Sequence, residues 1–130
     1  MLSRKGLLVT RHVDDDIRVK GDPFLLHQAL SNIVQNSIDF SEPGGHILIS
    51  ARVDDGNLSL AVEDEGPGIP EHYRERVFDK FFSMQRPDTG KKSTGLGLNF
   101  VREVAMLHGG EITLENLPEK GLRAVLSLPV

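Results

Sequence analysis

Two amides, one carboxylate and two glycine-bearing turns are the groups of this 130-residue chain best suited to chemistry. Asn32 and Asn36 stand four residues apart in a segment patterned as a helix, so one lies directly above the other. Asn is a poor helix former, and a solvated helix face would more often carry Glu and Lys. The pair reads either as a polar face with no further role or as amide oxygens turned toward a ligand. A neutral Asn oxygen suits a hard cation such as Mg²⁺, leaving the other coordination positions to water and phosphate. Asp64 lies two residues beyond Val62 on the apolar face of its strand, where a carboxylate is unusual unless paired. It opens Asp64-Glu65-Gly66-Pro67-Gly68-Ile69-Pro70, whose glycines permit a sharp turn or a close backbone approach. Asp64 therefore either bonds the N–H groups of its own turn or meets something brought against that loop.

Thr94-Gly95-Leu96-Gly97-Leu98 leads straight into a second helical pattern. Backbone N–H groups and the helix dipole at such a junction favour an anion, although small residues also serve a plain N-cap. Neither familiar phosphate loop is present. Phe100 replaces the third glycine of a dinucleotide fingerprint, and Leu96 stands where a Walker loop needs Lys. Phe78-Asp79-Lys80-Phe81-Phe82 precedes a polar stretch with Arg86, Lys91 and Lys92. That is either core followed by a solvated loop, or an aromatic anchor for a cationic lid over a triphosphate.

The elements that must hold these groups follow from local patterning. Asp22-Pro23 is an N-cap and first helical residue, predicting a helix to about Phe40 that ends before Glu42-Pro43-Gly44-Gly45. Leu26, Leu30, Ile33, Val34, Ser37 and Ile38 form its core arc, with Gln28, Asn32, Gln35, Asn36 and Asp39 opposite. Asp54-Asp55-Gly56 joins strands predicted at His46–Val53 and Asn57–Asp64. A short charged helix is expected over about Glu71–Val77 and a longer one over Leu96–Leu107, closed by His108-Gly109-Gly110. Strands at Glu111–Glu115 and Leu122–Leu128 complete the chain. At the other end, Leu7–Val13 and Ile17–Lys20 are predicted to form a hairpin turning at Asp14-Asp15-Asp16. Strands joined by tight turns imply antiparallel pairing, and helices with one apolar stripe imply a two-layer α/β sandwich.

Composition narrows the classes. Fifteen Lys+Arg against nineteen Asp+Glu give a net charge of −4, which argues against a nucleic-acid surface. The absence of Cys excludes disulfides, Cys-ligated zinc, iron–sulfur clusters and thiol catalysis. No apolar run approaches the roughly 18 residues of a membrane span, and no signal peptide is evident. One domain over residues 1–130, in the cytoplasm and without membrane contact of its own, is expected.

Taken in order, these motifs resemble the ATP-binding catalytic domain of sensor histidine kinases in the GHKL ATPase superfamily. Asn32-Ile33-Val34-Gln35-Asn36-Ser37 is similar to the N box, Asp64–Gly68 to the G1 box, Phe78–Phe82 to the F box and Gly95-Leu96-Gly97-Leu98 to the G2 box. The stretch from Arg86-Pro87 through Lys92-Ser93-Thr94-Gly95 resembles CreC-type sensor kinases. The resemblance implies a Bergerat-type mixed sheet packed on three helices, with ATP and Mg²⁺ as cofactors. It implies that Asp64 accepts a hydrogen bond from the adenine 6-amino group and that Asn36 holds Mg²⁺, with Asn32 supporting the phosphate or water shell. Gly66, Gly68, Thr94, Gly95, Leu96 and Gly97 would line the nucleotide, and Arg86, Lys91 and Lys92 would supply lid cations.

The implied reaction moves the γ-phosphoryl group of ATP to a histidine on a separate dimerisation and phosphoacceptor domain, with a response regulator served indirectly. None of His12, His27, His46, His72 and His108 sits in the family's acceptor motif, so the fragment is expected to lack autophosphorylation. Two departures stand out. Asp39 occupies a position often basic in the family, and Ser83 one where Arg is common. A hydrolase of the superfamily would usually place Glu where Asn32 stands, and a degenerate domain acting as a scaffold is the alternative from another class.

Overall fold

The structure is a computed structural model that describes residues 8–13, 17–73, 76–79 and 97–130. Strand β1 (Leu8–Val13) is followed by helix α1 (Pro23–Phe40), β2 (His46–Asp54) and β3 (Asn57–Asp64). A 3₁₀ turn (Glu71–Tyr73), helix α2 (Gly97–Leu107), β4 (Glu111–Asn116) and β5 (Leu122–Pro129) complete the described elements. The five strands form one sheet in the order β1-β2-β3-β5-β4. β1 runs parallel to β2 and every other pair is antiparallel, which makes the sheet mixed.

Helix α1 begins where its capping residues dictate. Asp22 Oδ1 accepts from the N–H groups of Phe24 at 2.9 Å and Leu25 at 3.1 Å. The helix ends at Ser41, whose N–H and hydroxyl both donate to the Ser37 carbonyl. Its inward face buries Ala29, Ile33, Ser37 and Ile38, while α2 contributes Val101, Val104 and Ala105. These pack on Ile47, Val62 and Leu126 from the alternating inner face of the sheet. The result is the two-layer α/β sandwich expected. The Asp55-Gly56 turn has φ of 53° and 77°, the left-handed pair that a two-residue hairpin requires.

Two expectations are corrected. The N-terminal hairpin does not form: β1 pairs in parallel with β2, from Leu8↔His46 to Val13↔Ala51, and residues 17–20 are not a strand. The free edge of β2 offers β1 six rungs, more than a four-residue partner could. Ile17 and Val19 instead pack against the core as extended cover. Of the short charged helix expected over about Glu71–Val77, Glu71–Tyr73 is a 3₁₀ turn, and positions 74 and 75 lie outside the described residues. Tyr73 N bonds Pro70 O, Arg76 N bonds Tyr73 O and Asp79 N bonds Arg76 O, each at 2.9 Å. An i→i+3 bond is that of the tighter helix used in short pieces. Among the described residues there are thus two α-helices where three helices were expected. Asp14-Asp15-Asp16 lies outside the described residues.

Candidate functional site

Asp64 closes β3 on the inner face, in register with Leu122 of β5, and is only 3% exposed. Its Oδ1 accepts from Gly66 N–H at 2.9 Å, so the carboxylate does bond its own turn. The Ser37 hydroxyl and the Leu122 backbone lie close enough to favour its charged form. The Gly66 N–H takes one of the roughly four acceptor positions of a carboxylate, so acceptor capacity remains. Burial pushes the Asp64 pKa above the ordinary carboxylate value, and the Gly66 N–H, the Ser37 hydroxyl and the Leu122 backbone pull the other way. Holding a charge-capable group where hydration is stripped away is expensive, and such groups concentrate where chemistry or recognition needs them.

The loop after Asp64 is packed against the end of α1. A Cβ at Gly66 would overlap the Phe40 carbonyl and stand 3.2 Å from Asp64 Oδ1, so only glycine lets the two backbones meet. Gly68 has φ of +78°, the left-handed region that favours glycine. Two residues that sequence reasoning passed over complete this joint. Ser37, placed on the core arc and at the end of the N-box motif but given no role, is buried with its hydroxyl close to Asp64, and a lone Ser in an apolar stripe was its signal. Asn116 at the end of β4 exchanges two 2.8 Å hydrogen bonds with the backbone of Ile69, and nothing local in the sequence foretells that contact.

Along α1, Asn32 and Asn36 are both half-buried. The Asn32 oxygen accepts from Gln28 Nε2 at 3.0 Å, and its amide nitrogen stands 3.5 Å from the Gly97 carbonyl. The structure therefore brings Asn32 beside Gly97, the first residue of α2. The side chain of Asn36 has no hydrogen-bond partner among the described residues, and Asp39 accepts from Gln35 at 2.9 Å. No group of three or more His, Cys, Asp or Glu able to hold a metal occurs among the described residues. The one neutral oxygen of the Asn36 side chain would suit a cation that takes its other ligands from phosphate and water. Arg86, Lys91, Lys92, Thr94, Gly95 and Leu96, with Phe81, Phe82 and Ser83, lie outside the described residues. Phe78 of the aromatic segment is half-buried; its carbonyl accepts from Asn99 Nδ2 at 3.0 Å, and Arg102 lies over its ring at 5.9 Å.

Comparison with known proteins gives the class. Residues 21–130 match the family described as histidine kinase-, DNA gyrase B- and HSP90-like ATPases. The catalytic domain of histidine kinase ThkA superposes with a TM-score of 0.86 at 31% identity, covering 98% of this chain and 83% of that one. The chain belongs to this ATPase family, within its sensor histidine kinase branch. Its sequence is 46% identical over 121 residues to the sensor protein CreC of Escherichia coli strain K12, which covers 92% of this chain. That alignment spans 25% of CreC. Full-length ShkA in complex with AMPPNP superposes with a TM-score of 0.80 at 26% identity, over 98% of this chain and 26% of that one. The mixed sheet under two α-helices is the Bergerat architecture of such catalytic domains. No helix among the described residues is long and apolar enough to cross a membrane.

Proposed function

We propose that this domain binds Mg·ATP and presents its γ-phosphoryl group to a histidine on a separate dimerisation and phosphoacceptor domain, from which a response regulator is served. The observation that carries the reading is Asp64: a buried carboxylate at the end of β3 that accepts from Gly66 N–H and has acceptor capacity remaining. Such a group accepts a hydrogen bond from the 6-amino group of adenine. Guanine would set its carbonyl oxygen against the carboxylate and leave two buried acceptors facing each other.

In this reading the backbones of Gly66 and Gly68 line the nucleobase, and Gly97 starts the helix whose N-terminal N–H groups face the phosphates. Thr94, Gly95 and Leu96 continue that phosphate wall, and Arg86, Lys91 and Lys92 add cations. Asn36 offers its oxygen to Mg²⁺, which when bound neutralises phosphate charge. Asn32, tethered to Gln28 and beside Gly97, orders the water or phosphate shell. Phosphoryl transfer rests mainly on positioning and charge neutralisation, so the chain needs no nucleophile of its own. The ATPase family, and the AMPPNP held by ShkA, support an adenine nucleotide as the ligand.

The test is phosphoryl transfer from radiolabelled ATP to a purified phosphoacceptor domain of a sensor kinase paired with this chain. Label is expected on the acceptor, none on the chain alone, and a loss of at least about tenfold with Asp64→Asn or Asn36→Ala. Nucleotide binding without transfer to any acceptor, or unchanged rates in both variants, would contradict the assignment.

A further inference from the structure

We infer that Asn116 is the positioning residue for the nucleobase end of the site, acting through its side-chain amide on the loop that follows Asp64. The inference rests on the reading of Asp64 given above. β4 ends at Asn116, in register with Leu122, which is itself in register with Asp64. Beyond that rung, the side chain takes over from the backbone. Asn116 Oδ1 accepts from Ile69 N–H and Asn116 Nδ2 donates to Ile69 C=O, both at 2.8 Å. An amide side chain used this way mimics one more residue of a strand, and it fixes Ile69 in two directions at once.

The clamp matters because of what it abuts. A Cβ at Gly68 would come 2.6 Å from Asn116 Oδ1 and 3.3 Å from the Gly121 carbonyl, so the loop backbone lies directly against the β4–β5 turn. Gly121, at φ of +110°, is pressed so close to the Asp64 carbonyl that a Cβ there would overlap it. Leu117 N–H donates to Gly121 O at 2.9 Å and closes the turn. Lys120 Nζ reaches Glu42 at 2.8 Å and ties the turn to the segment after α1. The loop is therefore held at its start by Asp64 and at its far end by Asn116, with Gly66 and Gly68 between. Moving Ile69 moves the backbone that would face the base, while Asn36 and the start of α2 stay in place.

The test compares ADP with IDP, which carries oxygen in place of the 6-amino group, by titration calorimetry with Mg²⁺ present. The chain is taken as wild type, Asn116→Asp, Asn116→Ala and Asp64→Asn, with a thermal melt of each. Asn116→Asp keeps the acceptor for Ile69 N–H but sets a carboxylate oxygen against Ile69 C=O; Asn116→Ala removes both bonds without adding charge. Both variants are expected to remain folded, to bind ADP about tenfold more weakly and to narrow the ADP-over-IDP preference by a similar factor. A parallel fall for both nucleotides, with the preference intact, would reduce Asn116 to a structural role and overturn the inference. Unchanged ADP binding in both Asn116 variants, with the preference lost in Asp64→Asn, would also overturn it while leaving the Asp64 reading standing. Retention of the preference in Asp64→Asn would sink the reading beneath it.

Discussion

The sheet carries a hydrogen-bonded joint at each end of β5, and the two are built for different ends. At one end, His108 ties the helices together: its Nδ1–H donates to the Val104 carbonyl at 2.8 Å, and its Nε2 accepts from Asp22 N–H at 3.0 Å. At the other, Asp64 lies beside Leu122 and accepts from Gly66 N–H. The imidazole has spent both nitrogens on the fold. The carboxylate has capacity left, and the side chain of Asn36, on the helix that carries Ser37, makes no hydrogen bond among the described residues. A polar group in the interior marks a binding site when its hydrogen-bonding potential exceeds what the fold consumes, and otherwise marks a fastening.

Removing the fastening is expected to have the larger effect on stability. His108→Ala removes its bonds to Asp22 N–H and the Val104 carbonyl and should cost about 1 kcal/mol in a urea denaturation series. Its ADP affinity should stay within about twofold of wild type. A tenfold loss of nucleotide binding in this variant would erase the distinction between the two joints.

A smaller effect separates them by pH. Because burial raises the Asp64 pKa, the folded state holds that proton more tightly than the unfolded chain does. The Asp64 contribution to stability therefore declines as pH climbs from the ordinary carboxylate value of 3.8 through the raised one, and is flat above it. Comparing wild type with Asp64→Asn across that window, the stability difference should shift in the direction of wild type as pH falls. Nucleotide affinity should drop over the same window, since the protonated carboxyl is the poorer acceptor. A stability difference independent of pH would show that Asp64 is not desolvated as described.

What the sequence made legible was what short-range rules govern. Asp22-Pro23 fixed the start of α1 through its cap, Asp55-Gly56 fixed the β2–β3 turn, and the two-residue period put Asp64 inward. The misreadings were decided at a distance. β1 looked like half of a hairpin because Asp14-Asp15-Asp16 suggests a turn, yet its partner lies 38 residues on at His46, where an open sheet edge was available. Ser37 and Asn116 belong to the site only because the helix and the β4–β5 turn converge on one loop, and Asn116 and Ile69 are 47 positions apart. Gly21 is the reverse case: its lack of a side chain serves the His108 joint, since a Cβ there would overlap the imidazole.

The central claim is that the inward carboxylate of Asp64 reads the 6-amino group of adenine. Calorimetric titration of the wild-type chain with Mg·ADP and Mg·IDP tests it most directly. The account predicts that IDP binds at least about a hundredfold more weakly, as expected when a buried acceptor is left facing another acceptor. Equal affinity for the two nucleotides would contradict it.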